Sequence, residues 1–151
     1  MESDIQEYLM FILATERILL PISVVRIVLS IPLLQTLPDQ DPAFLGLLNY
    51  HGKSIAVYEL SKLIGFTDST EITLETPLIL AHIAGYDMGI LVTEVVDLVK
   101  IANTELQAPF PDAMPYVQAL YENKSQAAWI LDLEKLVSHH RLQLKHETSY
   151  E

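Results

Sequence analysis

The chain contains an internal repeat, and this limits its possible folds more than any other feature. The segment ILLPISVVRIVLS at 18–30 resembles GILVTEVVDLVKI at 89–101, with a shift of 71 positions. The segment LLNYHGKSIAVYELSKLI at 47–64 resembles LYENKSQAAWILDLEKLV at 120–137, with a shift of 73. Since the order and the shifts agree, a true repeat is favoured over chance similarity of Val- and Leu-rich segments. Units of roughly 70 residues barely bury a core alone, so we expect the two to pack together.

The apolar segments within the repeat are short, rich in Val, Ile, Leu and Tyr, and separated by turn signals. This pattern is typical of a mostly β fold. It predicts two hairpins, one pairing 8–13 with 17–22 and the other pairing 78–83 with 88–93. The polar, Thr-rich stretch at 66–77 is the expected boundary between the two units.

Two helices are predicted at equivalent places in the repeat. One or two helical turns are expected at 60–66, ending at Gly65, and a longer helix is expected to begin near Asp132. Glu59 and Asp132 align in the repeat and precede these helices. We interpret both as helix N-terminal carboxylates rather than as an acid/base pair.

Composition narrows the class of protein further. The chain is 50% hydrophobic and 19% charged, which predicts a folded chain, and it has no Cys for disulfides or thiolate metal sites. The formal net charge of −11 disfavours binding to nucleic acid or anionic lipid. The acidic N-terminus does not resemble a signal peptide, and the apolar runs are too short to span a bilayer. We therefore expect a cytoplasmic protein without direct membrane insertion.

Catalytic and metal-binding motifs were not found in the sequence, and we predict no catalytic residues, no metal and no cofactor. His139 and His140 are adjacent and point to different faces of a helix, while His146 lies in a polar tail. A solvated helix end explains them better than a metal site. The alternative, a small enzyme that uses His51 and His82 with nearby carboxylates, requires one pocket that holds both imidazoles.

The stretch NYHG at 49–52 is a turn signal directly before the apolar strand SIAVYEL. We expect Asn49 and Gly52 to form the turn and Tyr50 and His51 to present their side chains. An exposed aromatic ring beside an imidazole suits a contact with another protein. The simpler alternative is a solvent-exposed turn without a partner.

In the order and spacing of these segments the chain resembles the CheW-like family, the adaptor proteins of bacterial chemosensory arrays. The family carries L-P-x-x-x-V, then G-x-x-N-x-R-G, then P-V-x-D-L. Here these correspond to the Leu-Pro pair at 20–21 with Val25, to GLLNYHG at 46–52 and to AVYEL at 56–60. The second half matches as well, so that the resemblance extends over roughly 7–138.

The resemblance implies a fold of two packed SH3-like five-stranded β-barrels, with short helices and a C-terminal helix. All of 1–151 would then be one CheW-like domain. The first barrel would occupy roughly 16–66 and the second roughly 78–131, with the N-terminal strand and the C-terminal helix completing the pair.

The resemblance also implies a non-catalytic scaffold. It would couple the cytoplasmic tips of methyl-accepting chemoreceptors to the regulatory domain of a CheA-type histidine kinase, and would be recruited to membrane-associated receptor arrays. Receptor helices would dock in an apolar groove between the barrels. The implied protein-binding residues are the turn tip, Asn49, Tyr50, His51 and Gly52, and the groove with its flank, Val25, Ile27, Val28, Val95, Leu98 and Val99.

Four positions depart from the family pattern; Ala56 for Pro and Glu59 for Asp are mild changes, and the other two remove a charge. His51 replaces the usual Arg of the turn, and Ile27 replaces a frequent Glu. Arg is always charged and binds carboxylates in a forked geometry, whereas His is mostly neutral near pH 7. We therefore expect a divergent adaptor, for example from a pilus-driven twitching-motility system, or a CheW-like module that serves as scaffold outside chemotaxis.

Overall fold

The computed structural model describes residues 4–38, 41–66, 71–123 and 126–140, which form a mostly β structure as predicted. The strands are β1 Ile5–Leu13, β2 Glu16–Pro21, β3 Val25–Ser30, β4 Phe44–Tyr50, β5 Lys53–Glu59, β6 Pro77–Ile83, β7 Tyr86–Leu91, β8 Glu94–Ala102, β9 Leu106–Gln107, β10 Val117–Asn123 and β11 Gln126–Leu131. The helices are α1 Leu60–Ile64 and α2 Leu133–His140, and short 3₁₀ turns occupy Ile22–Val24 and Asn103–Glu105.

The strands form two sheets with the same internal order. Sheet A runs β8-β1-β2-β11-β10-β9, and sheet B runs β3-β6-β7-β5-β4. Each strand of sheet B therefore has its equivalent in sheet A at the same place. Even the two-residue strand β9 has a counterpart, because Gln107 pairs with Leu120 as Gln35 pairs with Leu47. The repeat predicted from the sequence is thus present in the strand order, and both predicted hairpins are confirmed as β1–β2 and β6–β7.

The two repeats exchange one hairpin each. β2 pairs in parallel with β11, and β7 pairs in parallel with β5, so sheet A contains the hairpin β1–β2 from the first half of the chain and sheet B contains the hairpin β6–β7 from the second half. The chain passes from sheet A to sheet B through Ile22–Val24, and returns after β7. The hydrogen-bonded sheets consequently do not coincide with the ranges 16–66 and 78–131 that we expected for the barrels. This exchange makes the two units interdependent.

The buried apolar side chains form three clusters, of which the main one joins the two sheets. The main cluster lies between the sheets and takes buried side chains from both, including Phe11 and Leu20 of sheet A and Ile79 and Ile90 of sheet B. Sheet A packs a second cluster around Leu19 and Ile130, and sheet B packs a third around Val57 and Leu80. Each sheet thus covers apolar side chains on both of its faces, an arrangement consistent with two rolled barrels that share a core.

Both predicted helices are present. α1 ends at Gly65, whose φ of 99° is the left-handed conformation common after a helix. α2 begins after Asp132, whose Oδ1 accepts a hydrogen bond from the Lys135 N–H at 3.1 Å. Glu59 directly precedes α1, is 3% exposed, and accepts a hydrogen bond from Ser61 Oγ at 3.1 Å. The predicted continuation of α2 beyond residue 140, with His146, lies outside the described residues.

The helices in the part of the chain that the structure describes are all too short or too polar to cross a bilayer.

Candidate protein-binding surface

The predicted turn tip is a two-residue hairpin turn between β4 and β5. Tyr50 pairs with Lys53, and His51 and Gly52 occupy the two central positions with φ of 52° and 82°. Two successive positive φ values define a type I′ turn, which matches the twist of the flanking strands. Asn49 was expected to be a turn residue, but it lies in β4, because the turn needs only two residues. The ring of His51 packs edge-on against Tyr50, with centroids 4.2 Å apart.

The left-handed backbone at His51 leads to a test of the turn. We expect His51→Val to lower the free energy of unfolding by about 1 kcal/mol, because a β-branched side chain fits this conformation poorly. His51→Asn should change it by less than about 0.5 kcal/mol, since Asn tolerates positive φ. Urea unfolding of both variants measures the difference. Equal losses in the two variants would show that the imidazole contacts, rather than the backbone, stabilise the turn.

The predicted groove residues lie on two edge strands, β3 of sheet B and β8 of sheet A, which are equivalent in the repeat. Each strand contains a register shift in its pairing with the neighbouring strand. Such an irregularity breaks the alternation of inward and outward side chains. The exposed apolar residues on these strands are Ile27 at 37%, Val28 at 38%, Val96 at 43% and Leu98 at 50%.

The six groove residues do not all face solvent. Val25 and Val95 are half-buried and pack against the main cluster, and Val99 packs against the second cluster. Ile27, Val28 and Leu98 are exposed, as a binding role requires. Val96, which the sequence analysis left out, is exposed as well. Each edge strand therefore contacts the main cluster through one Val, Val25 in β3 and Val95 in β8. Each strand also exposes other apolar side chains to solvent.

A row of polar side chains crosses sheet B next to these residues. It takes one residue from each strand, in the order Arg26, His82, Asp87, Lys53 and Tyr50. Asp87 is the centre of the row: its Oδ1 lies 3.2 Å from Arg26 Nε and 2.6 Å from His82 Nδ1, and its Oδ2 lies 3.9 Å from Lys53 Nζ. The row ends at the turn tip on one side and at the edge strand β3 on the other.

The position of the proton on His82 follows from this geometry. His82 Nδ1 also lies 3.2 Å from Arg26 Nη2, but one ring nitrogen cannot donate to Asp87 and accept from Arg26 at once. The shorter distance favours a proton on Nδ1 that is donated to the Asp87 carboxylate. Partial burial raises the pKa of Asp87, but the His82 hydrogen bond and the charges of Arg26, His82 and Lys53 lower it more, so that this pKa lies below its ordinary value.

Asp87 should therefore make stability depend on pH. A carboxylate whose pKa is lower in the folded chain stabilises the fold fully above its unfolded pKa of about 3.9, and the effect is lost as pH falls through the folded pKa. We expect Asp87→Asn to cost about 1.5–3 kcal/mol at pH 7, and less as the pH falls below about 4. Urea unfolding at several pH values measures this. A cost that stays constant down to about pH 2 would contradict the assignment. Asp112→Asn, at an exposed loop position, is the matched control and should have little effect.

His51 and His82, the residues of the enzyme alternative, have different partners, Tyr50 and Asp87. A pocket of about 270 Å³ is lined by His82, and another of about 470 Å³ on sheet A is lined by Arg17, Tyr121 and Trp129. His51 lines neither of these two pockets. Within the described residues, no group of three or more His, Asp or Glu side chains is placed to hold a metal ion.

Comparisons with known proteins give a family and a similar solved structure for this chain. A family model described as CheW-like domain matches residues 7–141. The comparison with curated proteins gave no match. Among solved structures, the chain is similar to the scaffolding protein TtCheW from Thermoanaerobacter tengcongensis, with a TM-score of 0.78 and 23% sequence identity, over 87% of this chain and 91% of that chain. At this level of identity the likeness shows the fold.

Proposed function

The chain belongs to the family of CheW-like domains, and from this premise we propose that it is a non-catalytic adaptor in a chemosensory array. In this role it couples the cytoplasmic tips of methyl-accepting chemoreceptors to the regulatory domain of a CheA-type histidine kinase. The adaptor works in the cytoplasm and is recruited to receptor arrays at the membrane. Its action needs no cofactor, because coupling requires only that two partners are held together.

The observation that carries the proposal is the pair of equivalent edge strands. β3 and β8 both expose apolar side chains, Ile27 and Val28 on one and Val96 and Leu98 on the other. An exposed apolar edge strand invites pairing or aggregation unless a partner covers it. Val28 and Leu98 pair across the strands with Ile79 and Leu9 of the main cluster, so an amphipathic receptor helix that packs beside this core would bury them in a helix-in-groove mode.

The turn tip is the proposed second contact. Tyr50 and His51 stand at the end of the hairpin, and Asn49 and His51 are exposed. A rigid turn with a packed ring pair loses little conformational entropy when a partner binds. Two contact surfaces on one small domain would allow the kinase and the receptor to bind at the same time.

Calorimetric titration of the purified chain tests this proposal directly. The titrants are a cytoplasmic receptor fragment and the kinase regulatory domain from the same genome. We expect each to bind alone, and the second to bind with unchanged affinity when the first is already bound. Binding of neither titrant would reject the adaptor role in chemosensing.

The second candidate is a CheW-like scaffold for a different signalling complex. It is favoured by His51 and Ile27, which stand where the family has Arg and often Glu. If the turn still faces the usual kinase, His51→Arg should leave the affinity for that kinase unchanged or improve it. A loss of about ten-fold or more on this change would indicate a rebuilt interface and favour the second candidate.

A further inference from the structure

The polar row on sheet B places positive charge on the surface of an acidic protein. We call Arg26, His82 and Lys53 the cationic row. The chain has nine Lys and Arg residues against twenty Asp and Glu residues. Arg26 and Lys53 nevertheless both lie within 4 Å of the same carboxylate, that of Asp87. Arg26 and Lys53 outweigh Asp87 by one permanent positive charge.

The cationic side chains are more exposed to solvent than the Asp87 carboxylate that they contact. The Asp87 side chain is only 15% exposed, whereas the side chains of Arg26, His82 and Lys53 are 53%, 42% and 71% exposed. Asp87 is therefore a positioning residue beneath the row, and the cations face solvent. A pair that served only to stabilise the fold would not need to leave its cations so accessible.

Hydrogen-bond capacity also remains in the row. Arg26 has five N–H donors; its Nε lies 3.2 Å from Asp87 Oδ1 and its Nη2 lies 3.2 Å from His82 Nδ1. Lys53 is 3.9 Å from Asp87, a distance that leaves its ammonium donors open to other acceptors. A guanidinium fixed at one edge can still bind a carboxylate in a forked geometry through its other nitrogens.

The surroundings of the row define the partner more closely. At one end lies the exposed apolar side chain of Ile27, and at the other lies the ring pair of Tyr50 and His51. A ligand that covers the whole row therefore needs carboxylates in its middle and apolar groups beside them. An acidic peptide segment with interspersed apolar residues has this chemistry, and complementary charge would speed its association.

We propose that the cationic row is a recognition site for a carboxylate-rich, amphipathic segment of a partner protein. This inference rests on the proposed adaptor function, because it states the chemistry of the partner at that surface. Asp87 orients Arg26 and His82, and Arg26 and Lys53 supply the permanent charges that bind the partner's carboxylates.

The test uses two synthetic helical peptides of about 20 residues. One has Glu on the polar face and Leu on the other, and the second has Gln in place of every Glu. Fluorescence anisotropy with the full chain should show the Glu peptide binding about ten-fold more tightly at about 50 mM salt. This preference should shrink at about 300 mM salt, because screening weakens exposed charge pairs.

Variants of the chain locate the binding. Lys53→Gln should weaken binding of the Glu peptide about three-fold or more, and Arg26→Gln with Lys53→Gln should abolish the preference over the Gln peptide. Lys135→Gln removes one positive charge on the exposed part of α2, away from the row, and should leave the affinity for both peptides unchanged. Lys53 is the most exposed residue of the row and its ion pair with Asp87 is long, so the single variant should keep the melting temperature of the parent chain.

Equal affinity for the two peptides would overturn the proposal, and so would an effect of Lys135→Gln as large as that of Lys53→Gln. Neither peptide comes from a receptor or a kinase, so the outcome is separate from that of the adaptor role. If the Glu peptide binds while receptor and kinase do not, the site stands and the adaptor function fails. If receptor and kinase bind while the Glu peptide shows no preference, the adaptor function stands and this site fails.

Discussion

Leu98→Asp should weaken binding of the receptor fragment by about ten-fold or more, equivalent to about 1.4 kcal/mol or more. Leu98 is half-exposed on β8, beside the core that both edge strands share. If the receptor helix covers this position, Asp loses the apolar contact and places an unpaired carboxylate under the helix, which costs free energy. Val28→Asp should act in the same way from the β3 side, because Val28 pairs with Ile79 of the main cluster.

Leu74→Asp is the matched control, because it makes the same change at an 87% exposed Leu outside the two edge strands. We expect it to leave receptor affinity within about two-fold of the parent chain. Calorimetry measures all three variants, and circular dichroism checks that they fold. An unchanged affinity of Leu98→Asp, or a loss as large in Leu74→Asp, would remove β8 from the interface.

Phe11→Ala should lower the free energy of unfolding by about 3–5 kcal/mol, the largest effect on stability that we predict. Phe11 is fully buried in the main cluster, on a strand that pairs with β2 on one side and β8 on the other. Removing its ring leaves a cavity in the core that the two sheets share, so both sheets should be destabilised together.

Phe110→Ala makes the same substitution at a side chain that is 68% exposed, and should cost less than about 0.5 kcal/mol. Urea unfolding, followed by Trp129 fluorescence and by circular dichroism, compares the two variants. Because the core and the exchanged strands join the sheets, the two probes should report one transition. Similar losses in the two variants, or separate transitions for the two probes, would contradict this description of the core.

Much of the local structure could be predicted from the sequence. The hairpin β1–β2 follows from two apolar runs separated by a short turn signal, and α1 ends at Gly65 as expected. Asp132 caps α2 as interpreted. These features depend on residues close together in the chain, where alternation, turn residues and caps act directly.

The exchange of the hairpins β1–β2 and β6–β7 between the repeats could not be predicted in the same way. Periodicity shows that a segment forms a strand, but it does not identify a parallel partner that is distant in the chain. Ile18 pairs with Trp129 across β2 and β11, and the sequence around either residue contains no signal for that pair. For this reason the ranges predicted for the barrels, 16–66 and 78–131, simply followed the order of the chain.

The candidate site was predicted only in part. The turn tip was expected because NYHG is a local signal, whereas Arg26, Lys53 and Asp87 are brought together only by the order of the strands in sheet B. Val96 was missed although strict alternation places it on the same face as Leu98. It lies at the register shift of β8, between Val95 and Asp97, which both pair with β1. Non-local pairing therefore limits how much of such a site can be derived from one sequence.

The central claim is that this chain links a receptor to a kinase, and a retention assay tests it most directly. Cytoplasmic receptor fragments are fixed to beads, and the CheA-type kinase from the same genome is added with and without the chain. We predict that the chain increases the amount of kinase retained, and that Leu98→Asp removes the increase while Leu74→Asp does not. Retention that is the same with and without the chain would contradict the adaptor role.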